Sequence, residues 1–226
     1  MKLSKLIKSF LLTLCIIGTV PAALAADKKI GILVFDGVLT SDITAPLEVF
    51  GVASRKSWFT DYTPIVIAVE KTDKITTEEG LSIAVDSWIG EHPKVDVLIV
   101  PSSYSMEPLI NNSSLISFIQ RTGKDAEWMA SNCSGAFLLG EAGLLNGLKA
   151  TTWAGGEAHL KKAYPQIDVQ FNSNVVIDNN VITSNGSLVS YQAALALLAK
   201  MTSERKANEV ADALQYQRFS QQRYTF

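Results

Sequence analysis

The hydrophobic positions along the chain fall into two rhythms. Short runs apolar at nearly every position read as buried strands: residues 29–35 (KIGILVF), 62–69 (YTPIVIAV), 95–101 (VDVLIVP) and 126–132 (AEWMASN). Runs of that length, rich in β-branched residues and closed by turn residues, fit strands buried on both faces. Between them lie segments with apolar residues at helical spacing. DITAPLEVFGVASR is one, with Asp42 or Thr40 as its cap; SLISFIQRTG is another, ended by Gly123; SGAFLLGEAGLLNG is a third. A short strand near Lys149 to Thr152 precedes a helix, GGEAHLKKAY, stopped by Pro165. DVQF, NVVID and NVITS follow as short strands, with Asn179-Asn180 turning between the last two. SLVSYQAALALLAKM and the more polar SERKANEVADALQY close the chain as helices. GLSIAVDSWI reads as a hairpin or a short strand with a loop.

Continuous apolar strands alternating with amphipathic helices imply a mostly parallel sheet covered on both faces. The expected fold class is α/β, a flavodoxin-like α/β/α sandwich. In such sheets ligands bind at the carboxyl ends of the strands. Asp36, Pro101 and Cys133 all stand at such ends, so three separate runs are expected to converge on one crevice.

The N-terminus adds a compartment. Lys2, Lys5 and Lys8 precede a short apolar stretch, and Ala23-Leu24-Ala25 fits a cleavage site. Residues 1–25 therefore read as a signal peptide, 26–226 as a single domain, and the location as periplasmic. The formal net charge is −2 and the signal holds three lysines and no acids. Its loss leaves a more acidic chain, with no electrostatic basis for binding nucleic acid or an anionic membrane. The expected partner is a small molecule.

Export also changes the meaning of the cysteines. The chain has two, and cleavage removes Cys15, so Cys133 has no intramolecular partner. An unpaired thiol in an oxidising compartment is either buried and inert or kept for its reactivity. Cys133 falls between a buried strand and the first turn of a helix. Such an elbow pushes the side chain out of the layer, and the helix N-terminus favours thiolate. Gly135 would let the turn pack closely, and nearby N–H groups could hold an anion. Asp42 reads either as a helix cap or as an acid partner of the thiol. His92 and His159 lie far apart and no metal-ligand spacing occurs, so no metal is expected. No glycine-rich nucleotide motif is present either, so no cofactor is expected.

NCSGAFLLGEAGLLNGLKATTW resembles the nucleophile region of the ThiJ/PfpI superfamily, within the class I glutamine amidotransferase-like fold. FDGVLTSDITAPLEVF is similar to the first strand and helix of its isonitrile hydratase and AraC-regulator-associated branch. VLIVP, NNVITSNGSLVSYQAALALLAKM and VADALQY match in order. The resemblance implies Cys133 as nucleophile, Asp42 as its acidic partner and Ser134 as the hydroxyl residue after the cysteine. Paired glycines usual after the VLIVP strand are Ser102 and Ser103 here, so side chains occupy space beside the substrate. A histidine usual after the ATT run is Trp153, which disfavours mechanisms that rely on that base and would make the crevice apolar. The resemblance therefore implies isonitrile hydratase-like chemistry through a covalent thioimidate, with a homodimer as the common assembly. The competing expectation is a non-catalytic ligand-binding or redox-sensing domain.

Overall fold

The structure is a computed structural model that describes residues 27–56 and 62–221. The signal segment expected at 1–25 lies outside the described residues.

In chain order the elements are β1 (Lys28–Val34), α1 (Thr40–Arg55), β2 (Tyr62–Ala68), β3 (Lys74–Thr76), β4 (Ser82–Ala84) and β5 (Ser87–Trp88). After a single turn of 3₁₀ helix come β6 (Val97–Val100), α2 (Glu107–Ile110), α3 (Ser113–Asp125), β7 (Trp128–Asn132) and α4 (Gly135–Glu141). Then follow β8 (Lys149–Ala150), α5 (Glu157–Ala163), β9 (Asp168–Val169), β10 (Val175–Asp178) and β11 (Val181–Ser184). Three helices end the described chain: α6 (Val189–Met201), α7 (Glu204–Ala213) and α8 (Tyr216–Gln221).

A seven-stranded sheet runs in the order β10-β11-β7-β6-β1-β2-β5. Every neighbouring pair is parallel except the β10–β11 hairpin. The fold is thus α/β with a mostly parallel central sheet, flavodoxin-like, as the alternation of apolar runs predicted. The middles of the central strands are apolar because both faces are covered: Ile30, Ile32, Leu33 and Val34 of β1 and all four residues of β6 are buried. Helices α1, α6 and α7 pack on one another, and α2, α3 and α4 form a second group. Among the described residues no helix is long and apolar enough to cross a membrane.

The topology fixes where a site must form. β1 has β2 on one side and β6 on the other, so the chain leaves it in one direction and later returns on the other. Such a reversal opens a crevice at the carboxyl ends of the two strands. The N-terminus of α1 and residues 101–103 lie there, and the end of β7 is beside them.

Several local expectations change. Neither Asp42 nor Thr40 caps α1; Leu39 holds the cap position without a side-chain bond. Asp42 turns inward instead, and the Thr40 hydroxyl bonds Thr77 and Glu79. Gly123 does not end α3, which runs on to Asp125; the missing side chain makes room for Leu144, whose Cδ1 would lie 2.6 Å from a Cβ there. The third helix stops at Glu141, because Gly143 turns at φ 75°. Asp36 does not join the crevice cluster: its carboxylate accepts from the Thr76 N–H at 2.8 Å and pins the β3–β4 hairpin.

Candidate active site

The end of β7 turns sharply. Asn132 closes the strand, Cys133 sits at φ 52° and α4 begins at Gly135. A non-glycine residue in the left-handed region stores about 1–2 kcal/mol of strain and persists only where surroundings hold it. Here the Cys133 N–H donates to the Ser184 carbonyl at 2.9 Å, and the Thr152 hydroxyl donates to the Cys133 carbonyl at 2.8 Å. Asn185 Nδ2 in turn donates to the Thr152 carbonyl. The elbow is therefore clamped from both sides, and its side chain remains partly exposed.

Gly135 is required for a steric reason. A Cβ there would lie 2.3 Å from the Val100 carbonyl oxygen and 2.8 Å from that of Pro101. Both obstacles are backbone, so α4 could not otherwise seat against the end of β6. Gly135 is buried, and its part is packing.

Asp42, in the first turn of α1, has no solvent exposure. Its carboxylate collects donors from two segments, residue 102 and residues 187–190. Oδ2 accepts from the Ser102 N–H at 3.2 Å and the Ser102 hydroxyl at 2.5 Å. Oδ1 accepts from the Ser187 N–H and the Ser190 hydroxyl, both at 2.9 Å. Asn132 Nδ2 donates to the Asp42 carbonyl at 3.0 Å, and Ser184 Oγ donates to Asn132 Oδ1 at 2.7 Å. The strand that delivers the cysteine is thus tied to the helix that delivers the acid. Gly186 marks how close they come. A Cβ on Gly186 would stand 2.5 Å from Cys133 Cβ and 2.9 Å from Asp42 Oδ1.

Burial pushes the Asp42 carboxyl above its ordinary range, with the donated hydrogen bonds pulling it partly back. Burial also pushes the Cys133 thiol up, and the Asp42 charge raises it further. Donors from Ser102 and Ser134 oppose both effects in part. The expected helix-stabilised thiolate is therefore corrected: the free ends of the seven-residue α4 are outweighed by low-dielectric surroundings and a neighbouring anion. The Asp42 charge thus makes the Cys133 proton harder to remove than burial alone would.

Ser134 is buried and caps no helix N–H. Its hydroxyl donates to the Ser103 carbonyl at 3.2 Å, and both its hydroxyl and its N–H bear on the thiol. The N–H groups of Ser102 and Ser103 are both spent on acceptors within the protein: the first on Asp42, the second on the Met106 sulfur at 3.3 Å. Trp153 is half-buried, its ring stacked on Phe137 at 5.5 Å and on His159 at 6.0 Å between centroids. His159 is exposed and is the outer ring of that stack. Among the described residues no cluster of His, Cys, Asp or Glu has the makings of a metal site.

The run SNGSLVS supplies what the sequence reasoning missed. Ser184, Gly186, Ser187 and Ser190 all serve the acid or the elbow. The signal was available: the run follows a β-strand parallel to β7 and so ends at the same rim.

A model of the DJ-1/PfpI family matches residues 28–200. The isonitrile hydratase of Pseudomonas putida is 30% identical over 193 residues, covering 83% of this chain and 78% of that protein. The HTH-type transcriptional regulator GbdR of Pseudomonas aeruginosa (strain UCBPP-PA14) is 21% identical over 199 residues, 88% of this chain and 53% of the regulator. Among solved structures, a THiJ/PfpI family protein from Pseudomonas syringae superposes with a TM-score of 0.76 at 25% identity, over 90% of this chain and 79% of its own. The family model spans most of the chain and sequence and structural similarity agree with it: the chain belongs to the DJ-1/PfpI family.

Proposed function

We propose that the protein is a cysteine-dependent enzyme that hydrates a small isonitrile-like electrophile. One observation carries the reading: a partly exposed elbow thiol beside a buried carboxylate, the two raised together and sharing no histidine. Addition to an isonitrile needs sulfur and a proton delivered to the same terminal carbon. A thiol–carboxylate pair that retains one proton supplies both.

In the first step Cys133 Sγ bonds to the terminal carbon and the pair's proton goes to that carbon, giving a thioimidate. Water then adds to the thioimidate carbon and one of its protons passes to nitrogen. The C–S bond breaks, the thiol is restored, and an N-substituted formamide leaves. Asp42 holds and returns the proton, and Ser134 steadies the sulfur. The similarity to the Pseudomonas putida isonitrile hydratase supports this choice of electrophile. Incubation of the chain from residue 26 with a small alkyl isonitrile is expected to yield formamide, and Cys133→Ala to yield none. Equal inactivity of the two proteins would overturn the reading.

A second reading is a ligand-recognition domain without turnover. It is favoured by the commitment of the Ser102 and Ser103 N–H groups, which leaves fewer donors for a developing anion. It predicts saturable isonitrile or amide binding by calorimetry with no product. Both readings place the mature protein in the periplasm, which an intact mass beginning at Ala26 in a periplasmic extract would test.

A further inference from the structure

We propose that the cleft between the β5 edge of the sheet and α3 binds a small organic monocarboxylate with a flat apolar body, its charge on the Arg121 guanidinium and its body against the Trp88 ring. The inference stands apart from the hydration chemistry, because none of the residues around Cys133 and Asp42 borders this cleft.

The cleft has a volume of about 530 Å³, inside the range of about 300–1,000 Å³ usual for small-molecule sites. One wall is α3. Leu115, Phe118 and Ile119 of that helix are buried in the core, so its opposite face is the polar one. Ser114, Ser117 and Arg121 share a stripe of that face, at helical spacing, and border the cleft. The other wall is apolar. Trp88 ends the edge strand β5, with the buried Val69 and Ile89 beside it. A Cβ at Gly90 would overlap the Trp88 ring, so the bare backbone there leaves the ring its place.

His92 fixes where the guanidinium stands. Arg121 Nη2 donates to His92 Nδ1 at 3.2 Å. A guanidinium offers only donors, so Nδ1 is the acceptor and Nε2 carries the ring proton. The His92 backbone is tied in turn, its N–H donating to the Ile89 carbonyl at 3.1 Å. Among the described residues no carboxylate pairs with Arg121, which leaves the rest of its fork of N–H groups for a ligand. A planar fork of donors meets a planar carboxylate at two points. Glu70 also borders the cleft, beyond ion-pair distance of Arg121. One cation and one acid at the same cleft admit a single negative charge and repel a second, which selects a monocarboxylate over a phosphate dianion. The Trp88 wall then covers the apolar body of the ligand, ring against ring.

Isothermal titration calorimetry of the chain from residue 26 with phenylacetate tests the site, and saturable binding is expected. Phenylacetamide keeps the ring and loses the charge; acetate keeps the charge and loses the ring. Each is expected to bind at least about tenfold more weakly. Arg121→Gln removes the fork from an exposed position and is expected to weaken phenylacetate by about tenfold or more, with circular dichroism showing an unchanged fold. Glu70→Gln is expected to hold the affinity or raise it. Wild type alkylated at Cys133 by iodoacetamide is expected to bind as before. The site is overturned by an absence of saturable heat at millimolar phenylacetate, by equal binding of the amide, by an undiminished Arg121→Gln or by weakening in Glu70→Gln. Loss of binding on alkylation overturns it as well, by placing the probe in the Cys133 crevice. None of these readings uses an isonitrile, so a chain that binds phenylacetate in this way but makes no formamide would overturn the hydration reading and leave the site standing.

Discussion

Gly186 lies so close to Cys133 that a single methyl group cannot come between them. A Cβ there would also stand 3.0 Å from the Cys133 nitrogen, and the residue turns at φ 74°. Two penalties therefore coincide, one from left-handed backbone and one from contact with the elbow. Gly186→Ala is expected to cost about 3 kcal/mol or more. Thermal melting measures the cost, and iodoacetamide labelling of the surviving fold shows whether the thiol has been displaced.

The strain at Cys133 makes a second prediction. Cys133→Gly and Cys133→Ala both remove the sulfur, so both abolish turnover in the formamide assay. They differ in backbone. Glycine accepts φ 52° without penalty, whereas alanine retains it. The glycine variant is expected to be the more stable by about 1 kcal/mol after its extra unfolded-state entropy is counted. Urea denaturation of the two variants under the same conditions measures the difference.

Asp42→Asn replaces one acceptor oxygen by a donor nitrogen inside a ring of donors. At least one of the Ser102 or Ser187–Ser190 contacts must then be lost while buried, at about 3 kcal/mol. The same change removes the charge that raises the thiol. The alkaline limb of Cys133 alkylation is therefore expected to move to lower pH even as formamide production falls. A limb that stays in place would show that Asp42 exerts no field at the sulfur.

Alkaline stability carries the sign of the Cys133 shift. The folded thiol is raised above its ordinary value of 9.0, so the native state holds its proton where the unfolded chain has released it. Stability is full below the ordinary thiol range and is lost as pH rises through the folded value. The wild type should lose stability against Cys133→Ser across that window. Tyr191, pushed up to about 12 by burial and by the Glu48 carboxylate at 2.7 Å, titrates later and is common to both proteins. Denaturant midpoints for the pair, taken from neutral to alkaline pH, check the sign.

How far the sequence carried the reading depends on the range of the interaction involved. Strands and helices were legible because burial on two faces or one writes itself into local periodicity. The elbow was legible for the same reason: an apolar run stops at Asn132 and a helix pattern starts at Gly135. The inward turn of Asp42 was not. Asp in a first helical turn reads as a cap, and its real donors stand 60, 145 and 148 positions away. Ser102 reads locally as a glycine lost, an obstruction beside the substrate. Only the register of β1 against β6 shows that its hydroxyl meets the carboxylate. The thiol shift escaped because a helix end is visible in sequence, while the surrounding dielectric is a property of the packed fold.

The distance along the chain between Asp42 and its last two donors also governs when the cluster comes into being. Loop closure over such spans is entropically slow, so contacts of this kind are late arrivals during refolding. Until the 184–190 run docks, Asp42 lacks its Ser187 and Ser190 donors, and the elbow lacks the Ser184 carbonyl and the close cover of Gly186. Protection of the sulfur during refolding would therefore clock the final docking event, well after the central strands have zipped together.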